Sequence, residues 1–415
     1  MTKLVVELYG IVIGHLVGEG DNFDFGISAD ALERFGLDSQ VLSLAIPLVP
    51  HLPRNRQARR RNFFAELLPE GPMRIRLAAA AGVPVGDTLG MLRQYGRDVA
   101  GALCIWDPTS PGEPLTPSCE LLTEMGVADL LRNVATYPLG NKPVGGKTSL
   151  GGVQDKITLV HRAAEEQWAR ALDGYPTTHI MKPMSIRHPS IIFDEEYGSR
   201  FARALGLASF ATELRHFDGA PALVIERFDR APGAVPQRIH QEDFNQVLGA
   251  RGDQKYQRYG GVVSLRRVAS QLSGSGDSRG VRLLARLAVL SVALGNLDLH
   301  AKNISLLHPA DGTVTLAPAY DVVPQAHLPS DGEMAMAIDG EYRHASLTQD
   351  HLARELSSWG VRCASTLVVE CLEEILDVAE SETPDERAYV HLQDTIRSFT
   401  TNLLAGYPVG RPEGD

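Results

Sequence analysis

The run from Val281 to Val322 constrains this chain more than any other stretch. It opens with VRLLARLAVLSVALGN, where Leu283, Leu287, Leu290 and Leu294 recur at helical spacing and Leu284 and Ala288 widen the same face. Val292 and Ala293 leave few polar positions, so this helix is expected to be nearly buried, and Gly295 ends it. LDLHAKN follows, with Asp298 five residues before Asn303. Two short apolar runs, ISLLH (304–308) and TVTLAP (313–318), then flank Asp311-Gly312, a strong hairpin signal. AYDVVP brings Asp321 just past the second run.

That order carries a chemistry. In phosphoryl transfer by kinases, an aspartate takes the acceptor hydroxyl's proton and an asparagine five residues on holds magnesium. A carboxylate returned by a hairpin meets that asparagine across the metal. Magnesium suits such a sparse oxygen shell, completed by phosphates and water. Each part alone is weak, because Asx residues populate turns and Asp-Gly usually marks only a hairpin. The ordered set points to an ATP- and Mg2+-dependent kinase centre, with Asp298 as base and Asn303 and Asp321 as metal ligands.

Upstream, KTSLGGVQDKITLV (147–160) is a glycine-containing loop entering a strand. Gly151 and Gly152 permit close backbone approach, so amide hydrogens are placed to cradle phosphate. Val153, Gln154, Asp155 and Lys156 complete this candidate ATP loop. A Walker A loop is excluded, since Asn141 stands where its first glycine belongs and Pro143 fits poorly. Lys182, ending the apolar run THIMKP, reads either as a solvated edge charge or as a ligand for the α- and β-phosphates. Glu195 or Glu196 is its candidate partner. In ALVIERFDR, Glu226, Arg227 and Phe228 close a strand that is either an adenine-binding hinge or a core strand with a polar end.

A chain of 415 residues is too long for one ordinary core and predicts two or three domains. Residues 1–108 alternate β-like runs (LVVELYGIVIGHLVG, VLSLAIPLV, GALCIWD) with turns and one helical stretch near 63–80. PTSPGEPLTPS (108–118), with four prolines, is the candidate linker. A mixed region, 119–231, and a mostly helical one, 232–415, follow. The net charge of −11 argues against strong unaided nucleic-acid binding. No apolar run is long enough to span a membrane, and the apolar N-terminal stretch, interrupted by Glu7 and Gly10, reads as strands rather than a secretion signal. Cys104, Cys119, Cys363 and Cys371 are scattered with no C-x-x-C pair, which predicts reduced, buried thiols and a cytoplasmic location.

Several motifs in order then carry a resemblance. FFAELLPEG (63–71), YGRDVAGAL (95–103), SLGGVQDK (149–156), HIMKP (179–183), ALVIERFDR (222–230), HQEDFNQVLG (240–249), GNLDLHAKN (295–303) and LAPAYDV (316–322) resemble the HipA family, toxin kinases of bacterial type II toxin–antitoxin modules. The resemblance implies an α+β, two-lobed protein-kinase-like fold with an N-terminal β-rich subdomain and a mostly helical C-terminal lobe. It implies Asp298 as catalytic aspartate, Asn303 and Asp321 as Mg2+ ligands, and Lys182 as the phosphate-binding lysine. Glu226, Arg227 and Phe228 become the adenine hinge, and His300 and Lys302 join the ATP contacts. Ser149 falls on the serine that family members autophosphorylate. Only nine residues separate Met184 from Asp194, a shorter loop than the family pattern suggests, so substrate choice is expected to differ.

The implied partners are a HipB-like helix-turn-helix antitoxin, operator DNA held mainly through it, and a translation-component substrate such as an aminoacyl-tRNA synthetase. RNRQARRR (54–61) packs Arg54, Arg56, Arg59, Arg60 and Arg61 together, and reads equally as a solvated face or as a contact for DNA or antitoxin. Two rival functions share the motif set. A small-molecule phosphotransferase of the aminoglycoside or choline kinase type carries a similar Asp-Leu-His…Asn loop. A catalytically silent co-repressor would keep the fold without turnover.

Overall fold

The computed structural model describes residues 1–163, 165–233 and 235–411, so part of the expected 119–231 region (residue 164) and of the 232–415 region (residues 234 and 412–415) lies outside the described residues. The chain divides into two compact units, neither of them continuous. The first is Met1–Pro183, Arg215–Gly252 and Leu306–Val314; the second is Met184–Leu214, Asp253–Ser305 and Thr315–Asp415.

In the first unit, β1 (Thr2–Leu8) and β2 (Ile11–Glu19) form a hairpin closed by Tyr9 and Gly10, both at positive φ. That is the backbone a tight two-residue turn demands. With β3 (Asn22–Ile27) and β4 (Leu103–Trp106) they make a sheet of order β3-β2-β1-β4. Alternate residues of β1 (Leu4, Val6, Leu8) face a core that also takes Ile13 and Leu16 of β2, whose pairing shifts register at Ile13, together with Phe23, Phe25, Phe63 and Phe64. The helical stretch expected near 63–80 is two helices, Gln57–Ala65 and Gly71–Ala81, separated by Glu66, Leu67, Leu68, Pro69 and Glu70. VLSLAIPLV is buried but is not a strand. Its Leu44 amide and Ser43 hydroxyl donate to the buried Glu242 carboxylate at 2.8 and 2.6 Å, and Pro47 has no donor to give. Backbone groups held that way cannot enter a ladder.

A second sheet in the same unit runs β5-β7-β6-β8-β10-β9, from Ser118–Leu122, Ile157–Arg162 (β6), Gln167–Leu172 (β7), His179–Pro183 (β8), Thr212–Phe217 (β9) and Ala220–Glu226 (β10). The helix Glu124–Arg132, capped by Thr123 on the Gly126 amide, buries Val127, Leu130 and Leu131 against Ile157, Leu159, Met181 and Val224. Because strand side chains alternate, Met181 enters that core while Ile180 and Lys182 share the opposite face.

The second unit is organised on the helix Ser278–Leu294. From Leu284 onward only its Arg286 is not buried, and that side chain reaches Glu374 and the Leu205 carbonyl. Helices Ile191–Ala204, Leu265–Gly274, Gln349–Ser358, Ala364–Ser381 and Leu392–Leu404 pack around it. Asp277 caps its start on the Gly280 amide. Gly295 ends it at φ +67, and a Cβ there would come within 2.6 Å of Ala326 Cβ, so the residue must be glycine twice over. Of the four cysteines, all unpaired, only Cys371 is fully buried and Cys363 is exposed, which corrects the expectation of four buried thiols. No helix among the described residues is long and apolar enough to cross a membrane.

Candidate active site

The buried helix delivers the turn 296–303. Asn296 N–H closes the helix end on Ser291 O at 2.8 Å, and Asn296 Oδ1 accepts from the Asp298 amide at 3.3 Å. His300 N–H donates to Asp298 O, and Asn303 N–H to His300 O. Asn303 Nδ2 also donates to Asp298 O at 3.0 Å, which turns the planar amide so that Oδ1 faces away from the loop. Asp298 and Asn303 are thus locked to each other by the five-residue spacing read in the sequence.

The hairpin returns as expected. Strand Ser305–His308 and the short strand Thr315–Leu316 bracket Gly312 at φ +85, and Ala317 N–H donates to Ser305 O. Tyr320 is a tie the sequence did not announce. Its hydroxyl donates to Lys302 O at 2.6 Å and lies 2.6 Å from Ser305 Oγ, joining the far end of the hairpin to the turn 296–303. The next residue, Asp321, sits at φ +56, a strained conformation for a residue with a side chain.

His300 is buried beside them, and burial and then the Lys255 charge push its pKa down to about 3, while Asp321 pulls it the other way. It is therefore neutral at pH 7. Its Nδ1 is buried with no hydrogen-bond partner, an orphaned polar atom that a ligand would satisfy. The hydroxyl of Tyr256, which the sequence did not single out, donates to Asp298 Oδ1 at 3.2 Å. The donor set fits magnesium carried on a nucleotide: one carboxylate, one amide oxygen, and an unsatisfied imidazole alongside. Among the described residues there is no cluster of three or more His, Cys, Asp or Glu that could hold a metal, so phosphate oxygens would have to complete the shell.

The other candidates lie in the first unit. Ser149 is fully buried, donating its hydroxyl to Leu67 O at 3.0 Å and its amide to Asp98 O at 2.9 Å. Gly152 stands at φ +102, and a Cβ there would sit 2.8 Å from Lys156 Nζ, which itself donates to Gly151 O at 3.0 Å. Asp155 pairs with Arg76 at 2.7 Å, the Glu70 amide donates to Gly152 O, and Val153 is half exposed. Lys182 is buried at the end of β8, opposite Leu223, so the solvated-edge alternative does not hold.

Arg227 is taken up elsewhere. Its guanidinium binds Asp229 at 2.8–2.9 Å and Thr177, and its amide donates to Thr178 O. With Asp98 and Arg230 this is a wholly buried ion network, and the arginines hold both carboxyls below the usual range against the cost of burial. Glu226, exposed, and Phe228, half buried, remain at the strand end. In the second unit Glu196 is committed to Arg200 at 2.8 Å, which leaves Glu195 as the acidic candidate of the helix Ile191–Ala204.

The arginine run separates by burial. Arg60 is 3% exposed, bidentate on Asp24 and bonded to Pro53 O, and Arg59 donates to Leu248 O. Arg61 is half buried, and Arg54 and Arg56 are exposed.

Residues 4–106 match the HipA N-terminal domain and residues 148–383 the HipA-like C-terminal domain. This chain belongs to the HipA family. It is 34% identical over 354 residues to Y4mE of Sinorhizobium fredii, whose name gives it as a candidate kinase, covering 81% of this chain and 82% of that protein. It is 28% identical over 316 residues to the serine/threonine-protein kinase toxin HipA of Shewanella oneidensis, covering 72% and 71%. A solved complex of Shewanella oneidensis HipA, HipB and operator DNA superposes with a TM-score of 0.76 at 24% identity, over 97% of this chain and 96% of that one. The likeness establishes the α+β fold expected from the sequence.

Proposed function

We propose that this protein is an ATP- and Mg2+-dependent serine/threonine protein kinase and the toxin half of a toxin–antitoxin pair. The observation that carries the reading is the mutual locking of Asp298 and Asn303 on one turn, with Tyr320 tying Asp321 to the same turn. Asp298 is the base for the acceptor hydroxyl. Asn303 and Asp321 would hold Mg2+, which when bound neutralises charge on the transferring phosphate. His300 and Lys302 contact the nucleotide beside them. Gly151, Gly152, Val153, Gln154, Asp155 and Lys156 form the phosphate loop, Lys182 binds the α- and β-phosphates, and Glu226 through Phe228 receive adenine, Arg227 contributing position rather than its side chain.

Family membership supports four further assignments. Residues 1–108, 119–231 and 232–415 act as the β-rich subdomain, the nucleotide-binding lobe and the catalytic lobe of a cytoplasmic enzyme. The partner is a HipB-like antitoxin that brings operator DNA, with Arg54 and Arg56 the arginines of the cluster exposed enough to meet an acidic surface. The acceptor is a translation component of the aminoacyl-tRNA synthetase class. Ser149 is the self-phosphorylation site. Its burial means the 149–152 stretch must leave Leu67 O before modification, and close to two added negative charges would then oppose its return to a phosphate-binding position.

Mass spectrometry of the full chain after incubation with Mg-ATP tests this. Phosphate on Ser149 and on a protein acceptor is the expected result. Unmodified protein together with turnover of a small alcohol would replace the protein-kinase reading by the small-molecule one.

A further inference from the structure

Tyr256 precedes Asp298 by 42 residues, yet its hydroxyl reaches Asp298 Oδ1 at 3.2 Å. The two are brought together by one residue of the strand Glu333–Ile338. Ala335 O accepts from Gln257 N–H at 3.0 Å, and Ala335 N–H donates to Leu297 O at 2.8 Å. The same strand donates from Ala337 N–H to Gln257 Oε1 at 3.0 Å. The residue after Tyr256 and the residue before Asp298 are therefore gripped by the C=O and the N–H of one residue, Ala335. The ring is also fixed: it stands edge-on to His300 at 5.4 Å, and the buried Lys255 ammonium lies 5.2 Å from its centroid.

A buried carboxylate needs a donor simply to be satisfied. Asp298 is not in that position, since its side chain is 38% exposed and open to water. A fixed hydroxyl on a hydrated carboxylate restricts its direction more than it relieves its burial.

We propose that Tyr256 is a positioning residue of the phosphoryl-transfer centre, holding one oxygen of Asp298 so that the carboxylate's orientation toward the acceptor hydroxyl is set before the acceptor arrives. This rests on Asp298 being the catalytic base. The ionisable groups around the contact are His300, Lys255, Lys302 and Asp321.

Tyr256→Phe keeps the ring against His300 and removes only the hydroxyl. The full chain is assayed with Mg-ATP labelled on the γ-phosphate and casein as acceptor, and nucleotide affinity is measured by calorimetry. The variant is expected to lose about 10- to 100-fold in kcat with ATP affinity retained. Tyr259→Phe, at an exposed neighbour, is expected to behave as wild type. Unchanged kcat in Tyr256→Phe overturns the positioning role while leaving the kinase reading intact. A loss of ATP affinity matching the loss of rate makes the tyrosine structural and also overturns it. A wild-type chain that transfers no phosphate sinks the kinase reading and this inference together.

Discussion

Asp321 holds φ +56, a left-handed backbone that costs on the order of 1–3 kcal/mol for a residue other than glycine. The neighbouring contacts impose it: Tyr320 is held at Lys302 and Ser305, and the Ala319 amide donates to Leu207 O at 2.8 Å. A backbone held in this conformation fixes the direction of the Asp321 carboxylate, which is what the proposed metal-ligand role needs. Asp321→Asn keeps the shape and the tolerance for positive φ and removes the charge. Mg-ATP affinity is expected to fall about tenfold or more, with metal-free ATP binding little changed, because a charge-assisted contact is worth ~1.5–3 kcal/mol. Calorimetry with and without Mg2+ measures both, and equal losses in the two titrations would remove Asp321 from the metal site.

The helix Ile191–Ala204 reaches the same segment from behind. A Cβ on Gly198 would overlap the Val322 carbonyl oxygen and crowd Pro324, so the helix can approach the residues after Asp321 only because position 198 is glycine. On a free helix surface Gly→Ala stabilises by about 1 kcal/mol. Here Gly198→Ala is expected to destabilise by about 1–3 kcal/mol through overpacking and to weaken Mg-ATP binding by displacing Asp321. A thermal melt decides the sign, and a raised Tm would show that the close approach does not exist. This contact was invisible in the sequence, as was the 257–335–297 backbone ladder, because both join residues far apart in the chain. The catalytic turn and hairpin were legible for the opposite reason: helical period, a terminating glycine and an Asp-Gly turn are local signals. VLSLAIPLV misled because its apolar spacing is that of a strand, while its hydrogen-bond partner, Glu242, lies some two hundred residues on. Arg60 reads in the sequence as either solvated charge or a partner contact, because its ion-pair partner, Asp24, lies 36 residues away.

Across the whole molecule, the residues singled out by the motifs fall in both compact units. The glycine loop, Lys182 and the strand end at Glu226 belong to the first, and Asp298, His300, Asn303 and Asp321 to the second. Each unit is assembled from three separate stretches of the chain. HipA-family membership and the shared fold make phosphoryl transfer the function to test, and Asp298 the residue to test it on. The direct measurement is single-turnover transfer of labelled γ-phosphate from Mg-ATP to protein hydroxyls, by the full chain and by Asp298→Asn. Transfer by the wild type, slowed by about 10²–10⁴-fold in the variant while ATP binding persists, is the predicted result. Equal rates in the two proteins, or no transfer by the wild type, would contradict the assignment.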